Sequence, residues 1–185
     1  MIFLRSVLII AFAALTASGQ QTSSQPPAPQ HESVPASCPM TPRPGRVFMP
    51  PADYRPADPL PKNFFLIGTE KLWTEIGDSM VWQWRPHAPG HEQDLTAKIF
   101  WFREGYSWRS EPVPKLRVTG KRLDGPAPPL VTPQGPATNV IINSWRGAML
   151  TGVWVPVPGC WEITGDYEGD KLTFNVWVEP MKPEK

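Results

Sequence analysis

The stretch PGCWEITGDYEGDKLTF, residues 158–174, decides the fold. Pro158-Gly159 makes a turn and cannot continue a regular ladder, so a strand is expected to begin at Cys160. Side chains alternate along a strand, which puts Trp161 and Ile163 on one face and Cys160, Glu162 and Thr164 on the other. The polar run 165–170 reads as a hairpin connection, with glycine available for positive φ. In the return strand Leu172, Phe174, Val176 and Val178 share one face, and Thr173, Asn175 and Trp177 the other. One face of this hairpin is apolar and packs on a core, while the other is mostly polar. Cys160 falls on the polar face, where a thiol is not core filler and calls for a partner.

The N-terminus names the compartment. Arg5 precedes an apolar run from Val7 to Ala17, and Ala17-Ser18-Gly19 offers small residues for cleavage, so residues 1–19 read as a signal peptide. The run is about half the ~20 residues that a membrane-spanning helix needs, so no span is expected after cleavage. Ser37-Cys38 makes a poor lipobox, because Pro35 stands where an aliphatic residue is wanted. Export, periplasmic or secreted, implies an oxidising milieu in which two cysteines are bonded more often than free. Two cysteines allow one intramolecular pairing, Cys38 with Cys160; two unpaired thiols are the competing reading.

The chain carries 18 basic and 17 acidic residues, a net +1. This balance gives no electrostatic argument for nucleic acid or an anionic membrane surface. Residues 20–61 hold twelve prolines and cannot form a helix or an interior strand. They read as an arm, a flexible spacer at first and ordered from about Cys38. From residue 62 to about 180 the pattern becomes short β-rich runs separated by Gly, Pro and Asp. They begin at Phe64, Leu72, Met80, Ala97, Leu116, Val140, Met149, Cys160 and Leu172. Strands at this spacing predict an all-β, immunoglobulin-like antiparallel β-sandwich carrying a proline-rich N-terminal arm. Ile99-Phe100-Trp101-Phe102 is apolar on both faces, so it is either a central strand covered by the arm or part of a binding surface. With Cys38 bonded to the closing hairpin, the arm is expected to cross that sheet. Its prolines offer few donors, so packing on Trp177, Trp101 or Phe100 is expected to supply most of its attachment.

Four segments occur in a telling order: CPMT at 38, GTEKLWTEI at 68, KIFWFREGYSWRSEPVPKLRVTGKRLDGPAPPL at 98 and PGCWEITGDYEGDKLTFNVWV at 158. The series resembles an uncharacterised family of small exported bacterial proteins, whose members carry Cys-Pro near the start, Leu-Trp, FWWREGY, VTGRRLDAPAPPL and a closing GCWEVTG. The likeness spans roughly residues 38–178. It implies an exported protein with an immunoglobulin-like domain and supplies no catalytic residues. Cys38 and Cys160 match that family's two cysteines.

Candidate chemistry is sparse. His87 and His91, with Glu92 and Asp94 nearby, are metal-capable, but Pro89-Gly90 forbids the helix that would face both rings one way. A solvent loop is the simpler reading, and neither metal nor cofactor is expected. No Gly-x-Ser-x-Gly elbow occurs, and acid pairs such as Glu70/Glu75 or Asp166/Asp170 look like turn chemistry rather than a glycosidase pair. Nine tryptophans are more than a core of this size takes up. Trp161 belongs to the core, whereas Trp82, Trp84, Trp101, Trp108 and Trp177 are candidate ligand or partner contacts, with Trp145 and Trp154 also in excess. Residues 98–122 hold seven Lys or Arg against two acids. An acidic counterpart on the hairpin, at Glu162, Asp166, Glu168 and Asp170, or an acidic partner, is favoured over nucleic acid. The expectation is an exported, non-catalytic interaction or envelope-associated module whose unknown partner is a protein or glycan of the cell envelope. A carbohydrate-binding module using exposed tryptophans is the alternative, and a hydrolase the third reading.

Overall fold

The structure, a computed structural model, describes residues 34–45, 48–86, 95–142 and 145–181. The expected signal peptide, the first part of the spacer, His87 and His91 lie outside the described residues, as does the side chain of Trp145.

Among the described residues nine strands form, each within a few residues of its expected place. They are β1 (Phe64–Gly68), β2 (Leu72–Gly77), β3 (Val81–Gln83), β4 (Ala97–Arg103), β5 (Arg117–Arg122), β6 (Thr138–Ile142), β7 (Trp145–Val153), β8 (Gly159–Tyr167) and β9 (Asp170–Glu179). A five-stranded sheet has the order β1-β2-β4-β7-β6, and a four-stranded sheet the order β3-β9-β8-β5. The protein is an all-β sandwich. All pairings are antiparallel except β3 with β9, and the order is compatible with an immunoglobulin-like domain. The chain leaves one sheet for the other between β2 and β3, where buried Met80 takes a φ of 52°.

The closing hairpin is longer than expected. Tyr167 pairs with Asp170, so only Glu168 and Gly169 form the turn, with φ values of 51° and 99°. Two positive φ values give the backbone twist that matches the right-handed twist of the flanking strands. The expected connection over 165–170 is therefore corrected: Gly165, Asp166 and Tyr167 remain in the ladder. Gly165 does so for a packing reason. Its missing side chain admits the Trp101 indole from the opposite sheet, and a Cβ there would fall inside the van der Waals envelope of that ring. Trp101 is fully buried and lies 6.0 Å from the Phe174 ring centroid. Gly165→Ala is expected to lower stability by about 1–3 kcal/mol through overpacking. Urea denaturation measures this, and Trp101→Phe in the same chain should recover part of the loss.

Two apolar cores result. The first lies between the sheets and contains Phe65, Leu72, Ile99, Trp101, Trp161 and Phe174 among others. The second lies on the outer face of the five-stranded sheet, where Leu66, Trp73, Phe102 and Ala148 are buried under the arm residues Phe48, Tyr54 and Leu60. The double-faced run at 99–102 is explained by the arm: Ile99 and Trp101 point inward, while Phe100 and Phe102 meet the second core.

The arm takes a different course from the one expected. Cys38 is bonded to Cys160, with the Cα atoms 5.5 Å apart. Beyond it the chain runs along the edge of β9 instead of across the sheet. Thr41 N–H donates to the Asn175 carbonyl at 3.1 Å, Asn175 N–H to Thr41 Oγ1 at 2.8 Å, and Asn175 Nδ2 to the Pro39 carbonyl at 2.8 Å. Hydrogen bonds thus hold this part of the arm where packing was expected to supply most of the attachment, because Thr41 supplies the backbone donor that the prolines lack and a hydroxyl acceptor besides. They also cover an edge that β3, starting at Val81, does not reach. Met40 packs on the inter-sheet core, and Arg43 forks onto both carboxylate oxygens of Asp78 at 2.9 and 2.8 Å. From Phe48 onward the arm lies on the second core. It straps the two sheets together.

Candidate functional site

The tryptophans expected as ligand contacts divide by depth. Trp101 is corrected: its side chain is fully buried between the sheets. Trp82, Trp84, Trp108, Trp154 and Trp177 are half-buried, and no described tryptophan side chain is exposed. Trp82 lies edge-on to Phe174 at 6.3 Å, and Trp84 donates its indole N–H to the Val155 carbonyl at 3.1 Å. Both pack on the inter-sheet core. Trp108 lies under the Arg109 guanidinium at 5.3 Å and against Gly147. Trp177 pairs in register with Cys160, next to the disulfide. Trp161 is core, as expected.

The basic stretch meets the acidic hairpin. Lys115 pairs with Glu168 at 2.6 Å, Lys121 with Glu162 at 3.0 Å, and Arg103 with Asp170 at 3.6 Å. The first two are exposed and contribute little each. Arg103 is better enclosed, its guanidinium 4.4 Å from the Tyr167 ring centroid. Beside it a polar knot ties the β4–β5 connection to its neighbours. Tyr167 and the Lys115 backbone N–H donate to the two Glu111 carboxylate oxygens, and Tyr106 donates to Asn139. Asn139 Nδ2 in turn donates to the Glu111 and Pro112 carbonyls at 2.9 and 2.8 Å.

Burial, with the nearby Glu111 charge second, holds the Tyr106 hydroxyl above its ordinary range, from 10 up to about 12. Burial likewise raises Tyr167, assisted by its bond to Glu111. An unfolded tyrosine loses its proton near pH 10 while Tyr106 keeps it, so the unfolded state binds fewer protons and stability falls as pH rises from 10 to about 12. Tyr106→Phe should show a shallower fall in urea midpoint between about pH 9 and about pH 11 than the parent. An equal slope would place the Tyr106 hydroxyl in water.

Among the described residues, a recess lies where the arm meets the outer face of the five-stranded sheet. It is a cavity of about 140 Å³ with aromatic walls formed by Tyr54, Trp73, Phe102 and Tyr106. Arg103 lines it, Asp53 and Arg55 stand at the arm side, and Gly147 of β7 backs it without a side chain. Trp73 is the centre of this arrangement. Its ring lies 6.2 Å from Phe48, 5.9 Å and edge-on to Tyr54, and 6.4 Å and stacked on Phe102. Tyr54 Oη accepts the Gly105 N–H at 2.6 Å, which pins the arm to the end of β4. Two larger depressions, of about 760 and 610 Å³, are open and shallower in character; the first is flanked by the Lys115–Glu168 pair.

Sequence reasoning passed over Trp73, Tyr54 and Arg103 as site residues. The available signal was the apolar character of both faces in three neighbouring strands, FFLI, KLW and IFWF. Among the described residues no three of His, Cys, Asp and Glu gather in a metal-binding group, and no helix is long and apolar enough to cross a membrane. No family model matches the chain, and neither does any curated protein or solved structure.

Proposed function

We propose that this protein is an exported, non-catalytic interaction module acting in the periplasm or outside the cell, its partner a protein of the cell envelope. The apolar run at residues 7–17 and the disulfide support export. The observation that carries the choice of partner is the covering of the aromatic surface by the chain's own arm. A sugar-binding face presents aromatic rings for stacking, whereas here no described tryptophan side chain is exposed. An arm fixed by a covalent bond at one end and an aromatic core at the other instead offers a rigid surface of paired charges and a small recessed cavity.

The test is twofold. Chemical cross-linking in the living envelope, from a photoreactive residue placed at Val113 or Leu123, is expected to give discrete protein adducts. A glycan array probed with the mature protein is expected to stay blank. Saturable retention on one glycan class, lost on replacing Trp108 or Trp177, would overturn this reading in favour of a carbohydrate-binding module.

A further inference from the structure

We propose that the cavity under the arm is a carboxylate-binding site, taking a small organic acid or the carboxylate of a partner's peptide chain. The inference deepens the reading above and rests on it for the second of those two sources.

Three observations converge. The first is size. At about 140 Å³ the cavity matches the ~150 Å³ that admits a benzene ring elsewhere, so it suits a body about the size of one aromatic ring. The second is an excess of donors. Trp73 Nε1–H and Arg103 Nε–H are buried and have no hydrogen-bond partner, although native proteins satisfy most such groups. Trp101 Nε1, Trp177 Nε1 and Asn175 Oδ1 also lack partners, yet their residues line none of the described cavities. Trp73 and Arg103 line the same one.

The third is charge. Two guanidinium groups, Arg103 and Arg55, line the cavity with one carboxylate, Asp53, while Asp170 pairs with Arg103 from outside the lining. The Arg103 guanidinium is held in place by Nη1 donating to the Glu104 carbonyl at 3.0 Å, Nη2 facing Asp170 at 3.6 Å and its face resting on Tyr167. The Tyr54 and Tyr106 hydroxyls are already engaged, with Gly105 and Asn139, so their rings serve as walls. Donors without acceptors, one of them a guanidinium N–H, and aromatic walls together select an acceptor-only anion with a planar or apolar body. Both unpartnered N–H groups are covered, so an entering carboxylate must displace the rim of the arm. That rim is the short 3₁₀ turn Ala52–Tyr54, which has no side-chain cap and no buried residue.

The experiment follows the Trp73 indole N–H signal in two-dimensional NMR of the oxidised mature protein. Benzoate is the probe for a free acid, and benzyl alcohol, with a similar body and no charge, is the control. An acidic peptide with a free C-terminus, set against its amidated form, is the probe for a partner's carboxylate. Benzoate or the free-ended peptide is expected to shift the Trp73 signal saturably, and the uncharged controls are not. Arg103→Gln should weaken the response roughly tenfold, and the rim variant Arg55→Gln, which leaves the guanidinium stack intact, by a smaller factor. The site is refuted if neither acid moves the Trp73 signal, or if benzyl alcohol moves it as strongly as benzoate. Envelope cross-linking would be untouched by that failure, and a failed cross-link beside a positive benzoate titration would leave the free acid as the ligand.

Discussion

Replacing both cysteines, Cys38→Ser with Cys160→Ser, is expected to lower the unfolding free energy by about 4–5 kcal/mol. The two residues are 122 positions apart, so the bond closes a loop that includes every strand from β1 to β7. In the chain-entropy model the stabilisation grows with the logarithm of loop length, and a loop this long lies near the upper end of the scale. Both cysteines are buried, Cys160 completely, so the variant also places two hydroxyls where apolar sulfur stood. Urea or guanidinium denaturation of the variant and the oxidised parent measures the difference. The slope should change too, because the cross-linked unfolded chain is more compact than the open one. A loss below about 1 kcal/mol would mean that the arm's other attachments already restrain the unfolded ensemble.

Those attachments mark the boundary of what was legible in the residues. The strands could be read because each carries its own alternation: Trp161 and Ile163 against Glu162 and Thr164 needs no distant partner. The disulfide could be read because the expected export and the facing of Cys160 both call for a partner, and only one pairing exists. Trp73 could not. In KLWTEI it alternates with Leu72 and Thr74, and local parity assigns the outward face of an antiparallel sheet to solvent. Its burial is decided by Phe48 and Tyr54, some twenty residues earlier in a proline-rich segment with no periodicity of its own. Gly165, Asp166 and Tyr167 were misjudged for the opposite reason. They look like turn residues, but Gly165 is set by the ring of Trp101 in the other sheet, and Tyr167 by Glu111 and Arg103. Where a residue's environment comes from a non-local partner, local chemistry misleads. The cavity belongs to that class, since its walls come from the arm, β2, β4 and β7 together with the β4–β5 connection.

Trp73→Ala is expected to cost about 3–5 kcal/mol, the range for removing a buried aromatic side chain. The figure belongs at the upper part of that range if the arm cannot collapse into the space left, and the structure gives reasons why it cannot. The disulfide fixes one end of the arm, and the Tyr54–Gly105 bond fixes the rim above the lost ring. Trp73→Phe keeps contact with Phe102 and should cost less than half as much. The consequence for the arm separates this effect from general destabilisation. Its attachments near Cys38 and Thr41 lie on the other sheet and do not touch Trp73, so they should hold. Limited trypsin digestion of oxidised Trp73→Ala should therefore cut at Lys62, the Arg55-Pro56 bond being resistant, before any site in the strands, while the released fragment stays attached through the disulfide until reduction. Combining Trp73→Ala with the double serine change removes both fixings of one strap, and the losses should then exceed their sum, because each alone leaves the arm partly ordered by the other. Simple additivity, with Lys62 protected in both parent variants, would mean that the outer core forms independently of where the arm is anchored.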